Sequence, residues 1–221
     1  MAERLLFSKL GRARFISHLD LMRTFQRAFF RAQIRIRHTE GYHPHPFVSI
    51  ALPLSVGFSS DCEILEFGLE GGAEPEEVPE LLNRTLPEGI LVHRCYTAQR
   101  PLREIAYIRY LVEFTYAPAM PPGAEEGLRA LLSRESCVVQ KKSKKAKSGF
   151  TEVDLIPRIR SWSLSRAGES LRLDALLSAQ NPGLNPELIR AALCETYPDA
   201  APDFASFHRR ELVDETLAPF L

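Results

Sequence analysis

Seven arginines stand between residues 12 and 37: Arg12, Arg14, Arg23, Arg27, Arg31, Arg35 and Arg37. Arginine presents a planar fork of donors that grips a phosphate through two bonds at once, and its plane stacks on an exposed base. Arg23, Arg27 and Arg31 are spaced four apart, so on a helix they share a face. Like charges at that spacing repel by roughly a few tenths of a kcal/mol per pair, so stability alone does not account for them. An anionic partner such as RNA does; the bland alternative is a solvated face whose acids lie elsewhere in the fold.

A second basic run holds Lys141, Lys142, Lys144, Lys145 and Lys147. It is too charged to pack and is expected as a mobile loop between strands, over 141–149. Lysines that neutralise phosphates release counterions, so the run fits a nucleic-acid contact or a solubilising hairpin tip.

The third group is histidine. His18 opens the first predicted helix, and His43 and His45 stand in the loop 38–46 beside Tyr42. Pro44 and Pro46 hold the residues before them extended. Side chains two apart on an extended chain point the same way, so His43 and His45 are expected to share one side, with His18 or His38 as a further neighbour. No cysteine or carboxylate completes a recognised ligand spacing, so these residues are expected to stiffen the loop or touch a ligand, and neither a metal nor a cofactor is expected.

The chain lacks CxxxCxxC, GxxxxGK[ST], GxGxxG and GxSxG, which removes the usual signatures of iron–sulfur, phosphoryl, hydride and acyl chemistry. Cys62, Cys95, Cys137 and Cys194 form no CxxC pair and read as buried thiols. What survives is acid–base work by a histidine such as His18 near a basic patch, the requirement of metal-independent RNA cleavage. That reaction also needs a group to protonate the leaving oxygen. None can be placed from the sequence, so no catalytic residue is assigned.

The elements that must position these residues follow from period and punctuation. Residues 3–9 read as a strand. Ser17 reads as an N-cap, with Asp20 in the capping-box position and Leu21, Met22, Phe25, Phe29 and Ala32 at helical spacing. Residues 34–37 and 47–51 read as extended pieces around the loop 38–46, then 62–69 as a strand, 75–86 as a helix and 90–97 as a strand. After a linker at 100–103 come a strand at 107–116, a helix at 124–133, a strand at 137–141, a hairpin at 153–164 and 170–176, a helix at 186–197 capped by Asn185, and a strand at 205–212. The expected architecture is α+β, with two tandem ferredoxin-like domains of βαββαβ type over 1–103 and 104–221.

Composition agrees with a globular protein: 45% hydrophobic and 25% charged, with 28 basic and 28 acidic residues. Charge is uneven. Residues 1–50 hold nine Lys or Arg against three acids, whereas 61–90 hold nine acids against Arg84 alone. The opening residues lack a secretory pattern and no apolar run reaches about 18 residues, so a cytoplasmic location without a membrane span is expected.

Three stretches carry a resemblance: residues 14–23 (RFISHLDLMR), 41–46 (GYHPHP) and 52–57 (LPLSVG), followed by Glu63 to Phe67. Together they resemble the signature of the radical SAM-linked protein family, most densely over residues 4–70. In that family the domain is fused to a radical SAM domain or encoded beside one. The resemblance therefore implies a partner enzyme and supplies no reaction of the chain's own. At the level of fold, the tandem ferredoxin-like reading is also similar to CRISPR-associated RNA-processing endoribonucleases. Three functions follow: an RNA-binding accessory that presents substrate to a radical SAM enzyme, a ribonuclease built on His18, or a protein-docking module that uses the acidic segment 61–90 or the basic segment 12–37.

Overall fold

The computed structural model describes residues 2–142, 149–180 and 182–220. The chain is α+β, as its patterning predicts, and it divides into two compact units. Unit 1 holds residues 1–104 together with His208–Arg210, and unit 2 holds Ile105–Phe207 and Glu211–Leu221.

Unit 1 begins with β1 (Glu3–Lys9), a 3-10 turn (Gly11–Phe15) and α1 (His18–Arg31). Next come β2 (Arg35–Ile36), β3 (Val48–Ile50), β4 (Ser59–Phe67), β5 (Leu69–Gly71), α2 (Val78–Asn83) and β6 (Ile90–Thr97). Its sheet runs β6-β1-β4-β3, every neighbour antiparallel. Residues 208 and 209 add a parallel pairing beside Ser59 and Ser60, at the opposite end of β4 from β3.

The core of unit 1 lies between this sheet and α1. Leu21, Phe25, Ala28 and Phe29 are buried on the helix's apolar stripe. Phe25 meets Phe7 edge-on at 4.8 Å, and Phe29 meets Phe67 at 4.9 Å. Each such phenyl ring contributes about 1.5–3 kcal/mol of burial. Met22, expected in this stripe, is only half-buried and packs at its margin.

Unit 2 holds β7 (Tyr107–Thr115), α3 (Ala124–Leu132), β8 (Val138–Lys142), β9 (Phe150–Asp154), β10 (Ile159–Ala167), β11 (Ser170–Ser178), α4 (Glu187–Thr196) and β12 (Phe204–Val213). Here the strand order is β10-β11-β7-β12, while β8 and β9 pair with each other as a separate two-stranded sheet. Alternate residues of β7 are buried, from Ile108 to Phe114, as befits a strand with one covered face.

Three elements differ from the expected ones. The strand predicted at 62–69 breaks at Gly68, because β4 ends at Phe67 and β5 leaves to pair with β2. The helix predicted at 75–86 shortens to α2, since Glu74 to Glu77 close a turn and the Asn83 side-chain amide bonds both backbone groups of Val92 on β6. Val153, assigned from sequence to the hairpin with 170–176, belongs instead to β9. The turn Ile156–Arg158, with Pro157 inside it, separates β9 from β10, and β10 makes the hairpin with β11.

Candidate nucleic-acid interface

The basic segment is anchored from beneath by a buried lysine. Lys9, 1% exposed, ends β1 and donates from Nζ to the carbonyls of Arg14 at 3.2 Å and Ile16 at 2.8 Å. Burial lowers its pKa, and the nearby Glu63 carboxylate opposes that shift. The Arg14 carbonyl also accepts from the Gly57 amide, and Leu10 donates to the Gly89 carbonyl. Gly89 is required there, because its φ is +87° and a Cβ would stand 2.5 Å from the Leu10 carbonyl oxygen.

The start of α1 is fixed as the capping pattern predicts. Ser17 Oγ accepts from the Asp20 amide at 3.2 Å and lies 2.7 Å from Asp20 Oδ2. The Ser17 hydroxyl, and then Arg23, hold the Asp20 carboxyl below its usual range. His18 follows the cap and is half-buried.

Along this frame the arginines differ in how free they are. Arg23 is exposed and bonds Asp20 Oδ1 at 3.3 Å, and Arg31 donates to the Thr85 carbonyl at 2.7 Å. Arg12 and Arg27 are exposed, and among the described residues neither side chain makes a hydrogen bond or ion pair. Arg14 lies over the Phe15 ring at 4.8 Å, with its Nε buried and unpartnered. Arg35 and Arg37 are both exposed on either side of buried Ile36; Arg37 stacks over Phe47 at 4.9 Å.

In the loop 38–46, Tyr42, His43 and His45 are all exposed. The Tyr42 and His43 rings meet edge-on at 6.1 Å. His45 turns back on its own loop, its Nδ1 3.1 Å from Thr39 Oγ1 and 3.3 Å from the His43 carbonyl, so it stiffens the turn. Among the described residues no hydrogen bond joins His18 to this loop, and no cluster of three metal-ligating side chains occurs. Of the lysine run, Lys141 and Lys142 end β8, paired with Thr151 and Phe150; Lys144 and Lys145 lie outside the described residues.

Two arrangements in unit 1 escaped the sequence reading. Arg209 and Glu63, 146 residues apart, form a buried ion pair at 2.8 Å, and the same Arg209 nitrogen donates to the Leu52 carbonyl at 2.9 Å. Leu52 has φ +47°, a left-handed conformation costly for a leucine and stabilised here by that bond. Beside it, His208 bridges Ser59, at 2.8 Å from Nδ1, and Asp61, at 2.7 Å from Nε2. The residue types are those of a nucleophilic relay, but in such a relay the serine is the open end and the carboxylate the buried one. Here Asp61 is 49% exposed and Ser59 only half-buried, so the bridge is a clip that fastens residues 208–210 to β4. Partners 146 and 147 residues apart leave no trace in local periodicity or spacing. The acidic excess at 61–90 is likewise partly internal: Glu63 is consumed by Arg209, and Glu66 binds Arg4 at 3.0 Å.

These contacts define an α+β protein whose first unit presents exposed arginines on a firmly held helix. The chain belongs to a family described as uncharacterised proteins conserved in bacteria, DUF2344, whose model matches residues 3–186. No curated protein matches it by sequence. Among solved structures, a chain from a Cbf5-Nop10-Gar1 complex is similar with a TM-score of 0.52 at 7% identity, over 96% of this chain and 50% of that one. This chain therefore spans half the length of that neighbour, and the likeness is one of fold. An unknown protein from Galdieria sulphuraria is similar at 12% identity with a TM-score of 0.27, over 96% of this chain and 98% of that one. No helix among the described residues is long and apolar enough to cross a membrane.

Proposed function

We propose that the chain is a non-catalytic accessory of a radical SAM enzyme, and that it binds RNA through unit 1 and presents it for modification. The observation that carries the RNA half is the exposed arginine set: Arg12, Arg23 and Arg27 reach solvent from a segment whose turn and helix start are pinned by Lys9 and Ser17. Pinned cations facing water are arranged for an anion, and α1 carries a single acid, Asp20, against Arg23, Arg27 and Arg31. The partner half rests on the resemblance of the three motif stretches. Hydrogen bonds support reading them as one feature, since Gly57 of the third binds Arg14 of the first, and Gln26 of α1 binds the Pro46 carbonyl of the second.

We further propose that the two units are tandem ferredoxin-like modules. In unit 1 β1 lies between β6 and β4, and in unit 2 β7 lies between β12 and β11, placements that support reading each unit as a ferredoxin-like module.

The test is a salt titration of fluorescence anisotropy with labelled RNA, comparing the parent with an Arg12→Ala, Arg23→Ala, Arg27→Ala variant. Arg31 is spared because it bonds Thr85. Log affinity should fall linearly with log salt, and the slope should shrink by about 0.7–0.9 for each phosphate contact removed. Equal slopes and equal affinities would reduce the arginines to a solvated face. For the partner, ultraviolet crosslinking and purification from native cells should recover the radical SAM enzyme and RNA together; RNA without the enzyme removes that half.

A further inference from the structure

Four large apolar side chains near the arginines are open to water: Phe15 at 59%, Leu19 at 63%, Phe30 at 84% and Tyr42 at 99% exposed. Scattered singly, such residues need no explanation; gathered on one surface, they mark a binding site. Helix geometry gathers the two that lie on α1, Leu19 and Phe30. From Leu19, Arg23 is four residues on and Phe30 eleven, which at 3.6 residues per turn places all three within one narrow stripe. Gln26, seven residues on, falls in the same stripe and donates to the Pro46 carbonyl at 2.8 Å, which holds the loop carrying Tyr42 against that side of the helix. The stripe points away from the buried set Leu21, Phe25, Ala28 and Phe29. Arg27 lies directly beside it, and Phe15, with Arg14 over its ring, stands just ahead of the helix.

The chemistry of the surface selects among occupants. The acid on this helix, Asp20, is already bonded to Ser17 and Arg23, and the loop 38–46 carries one acid, Glu40, so these segments are cationic and aromatic together. A regular RNA duplex would use the arginines but hide its base faces in the stack, leaving the rings idle. Unpaired nucleotides use both, their phosphates on arginine and their bases stacked on aromatic rings. We infer that the α1 surface is a stacking platform for unpaired RNA, with Phe15, Phe30 and Tyr42 as the base-stacking residues and Arg12, Arg23 and Arg27 as the phosphate contacts. This deepens the RNA-binding reading and rests on it.

The experiment uses the full chain and one fluorescein-labelled unstructured oligoribonucleotide, alone and annealed to its complement, at fixed salt. The single strand should bind at least tenfold more tightly than the duplex. Phe15→Ala, Phe30→Ala and Tyr42→Ala should each weaken the single-strand complex about tenfold with the salt slope unchanged, while Tyr42→Phe, which keeps the ring, should bind as the parent does. These side chains are exposed, so the variants are expected to unfold like the parent, which thermal denaturation checks. Equal affinity for strand and duplex, or aromatic variants that bind normally, would overturn the platform and leave the RNA-binding reading standing. Binding of neither RNA would overturn both. If Phe30→Ala left RNA binding intact but abolished co-purification of the radical SAM enzyme, the surface would belong to a protein and the inference would fall.

Discussion

Arg209 and Glu63 meet at 2.8 Å with side chains 4% and 0% exposed, and the second carboxylate oxygen of Glu63 is buried without a hydrogen-bond partner. A charge taken this far from water is tolerated only while its partner is present. Replacing one member leaves the other charged and desolvated, at a cost of about 3–5 kcal/mol. Arg209→Ala should therefore destabilise unit 1 by that amount in urea denaturation, and it should also release the Leu52 carbonyl. The paired change Arg209→Met with Glu63→Leu removes both charges and should recover most of the loss. A single substitution no worse than an average surface change would contradict the geometry.

The clip next to this pair makes a smaller prediction. His208→Ala removes the contacts to Ser59 and Asp61, each a hydrogen bond worth about 0.5–1.5 kcal/mol net, with the Asp61 bond at the low end because that carboxylate is half in water. A loss of about 1–2 kcal/mol is expected, with faster hydrogen exchange at the amides of residues 59–61. Unchanged exchange there would show that backbone pairing alone holds residues 208–210 to β4.

What the sequence made legible was local. The cap at Ser17, the apolar stripe of α1 and the helix after Asn185 all follow from signals a few residues long, because 3.6-residue and two-residue periods are written into neighbouring positions. Boundaries set by long-range partners were not legible. Gly68 ends a strand because β2 competes for the chain, and nothing around residue 68 records that. The site divides in the same way: the arginines could be read by type and spacing, while Lys9 beneath them reads as an ordinary strand-end lysine until Arg14 and Ile16 fold over it. Glu63, counted among the acids of a docking segment, is an interior group for the same reason.

The thiols give a pH-dependent prediction. Burial, reinforced by Glu63 for Cys62 and by Glu3 for Cys95, pushes both from 9.0 up to about 12. Between those values the unfolded chain has lost thiol protons that the folded chain keeps, so each cysteine makes stability fall as pH rises from about 9 towards 12. Lys9, with its pKa lowered by burial, acts in the opposite sense below 10.5, where the unfolded chain holds the extra proton. Comparing Cys62→Ala with the parent isolates the thiol: the variant should lose less thermal stability between pH 8.5 and 10.5 by the order of its missing titration. In the native state at pH 8, iodoacetamide should modify Cys62 and Cys95 far more slowly than in urea.

The helix cap supplies the acid counterpart. Ser17 satisfies the Asp20 amide, one of the orphan donors at the start of α1, and its removal should cost about 1 kcal/mol, the usual worth of a serine N-cap. The Ser17 hydroxyl is also the leading reason that the Asp20 carboxyl sits below its normal 3.8, ahead of Arg23 and Arg27. A carboxyl with a depressed folded pKa stabilises the fold above its unfolded pKa, and that contribution disappears as pH falls through the folded value. The parent should therefore lose stability below about pH 4 in part through Asp20, and Ser17→Ala should lose less over the same interval because part of the linkage is already gone. Urea denaturation at pH 7 and at pH 3 for both proteins measures this directly. Ser17→Thr keeps the hydroxyl and should behave as the parent at both pH values, whereas a threonine variant as weak as the alanine one would assign the loss to something other than the cap.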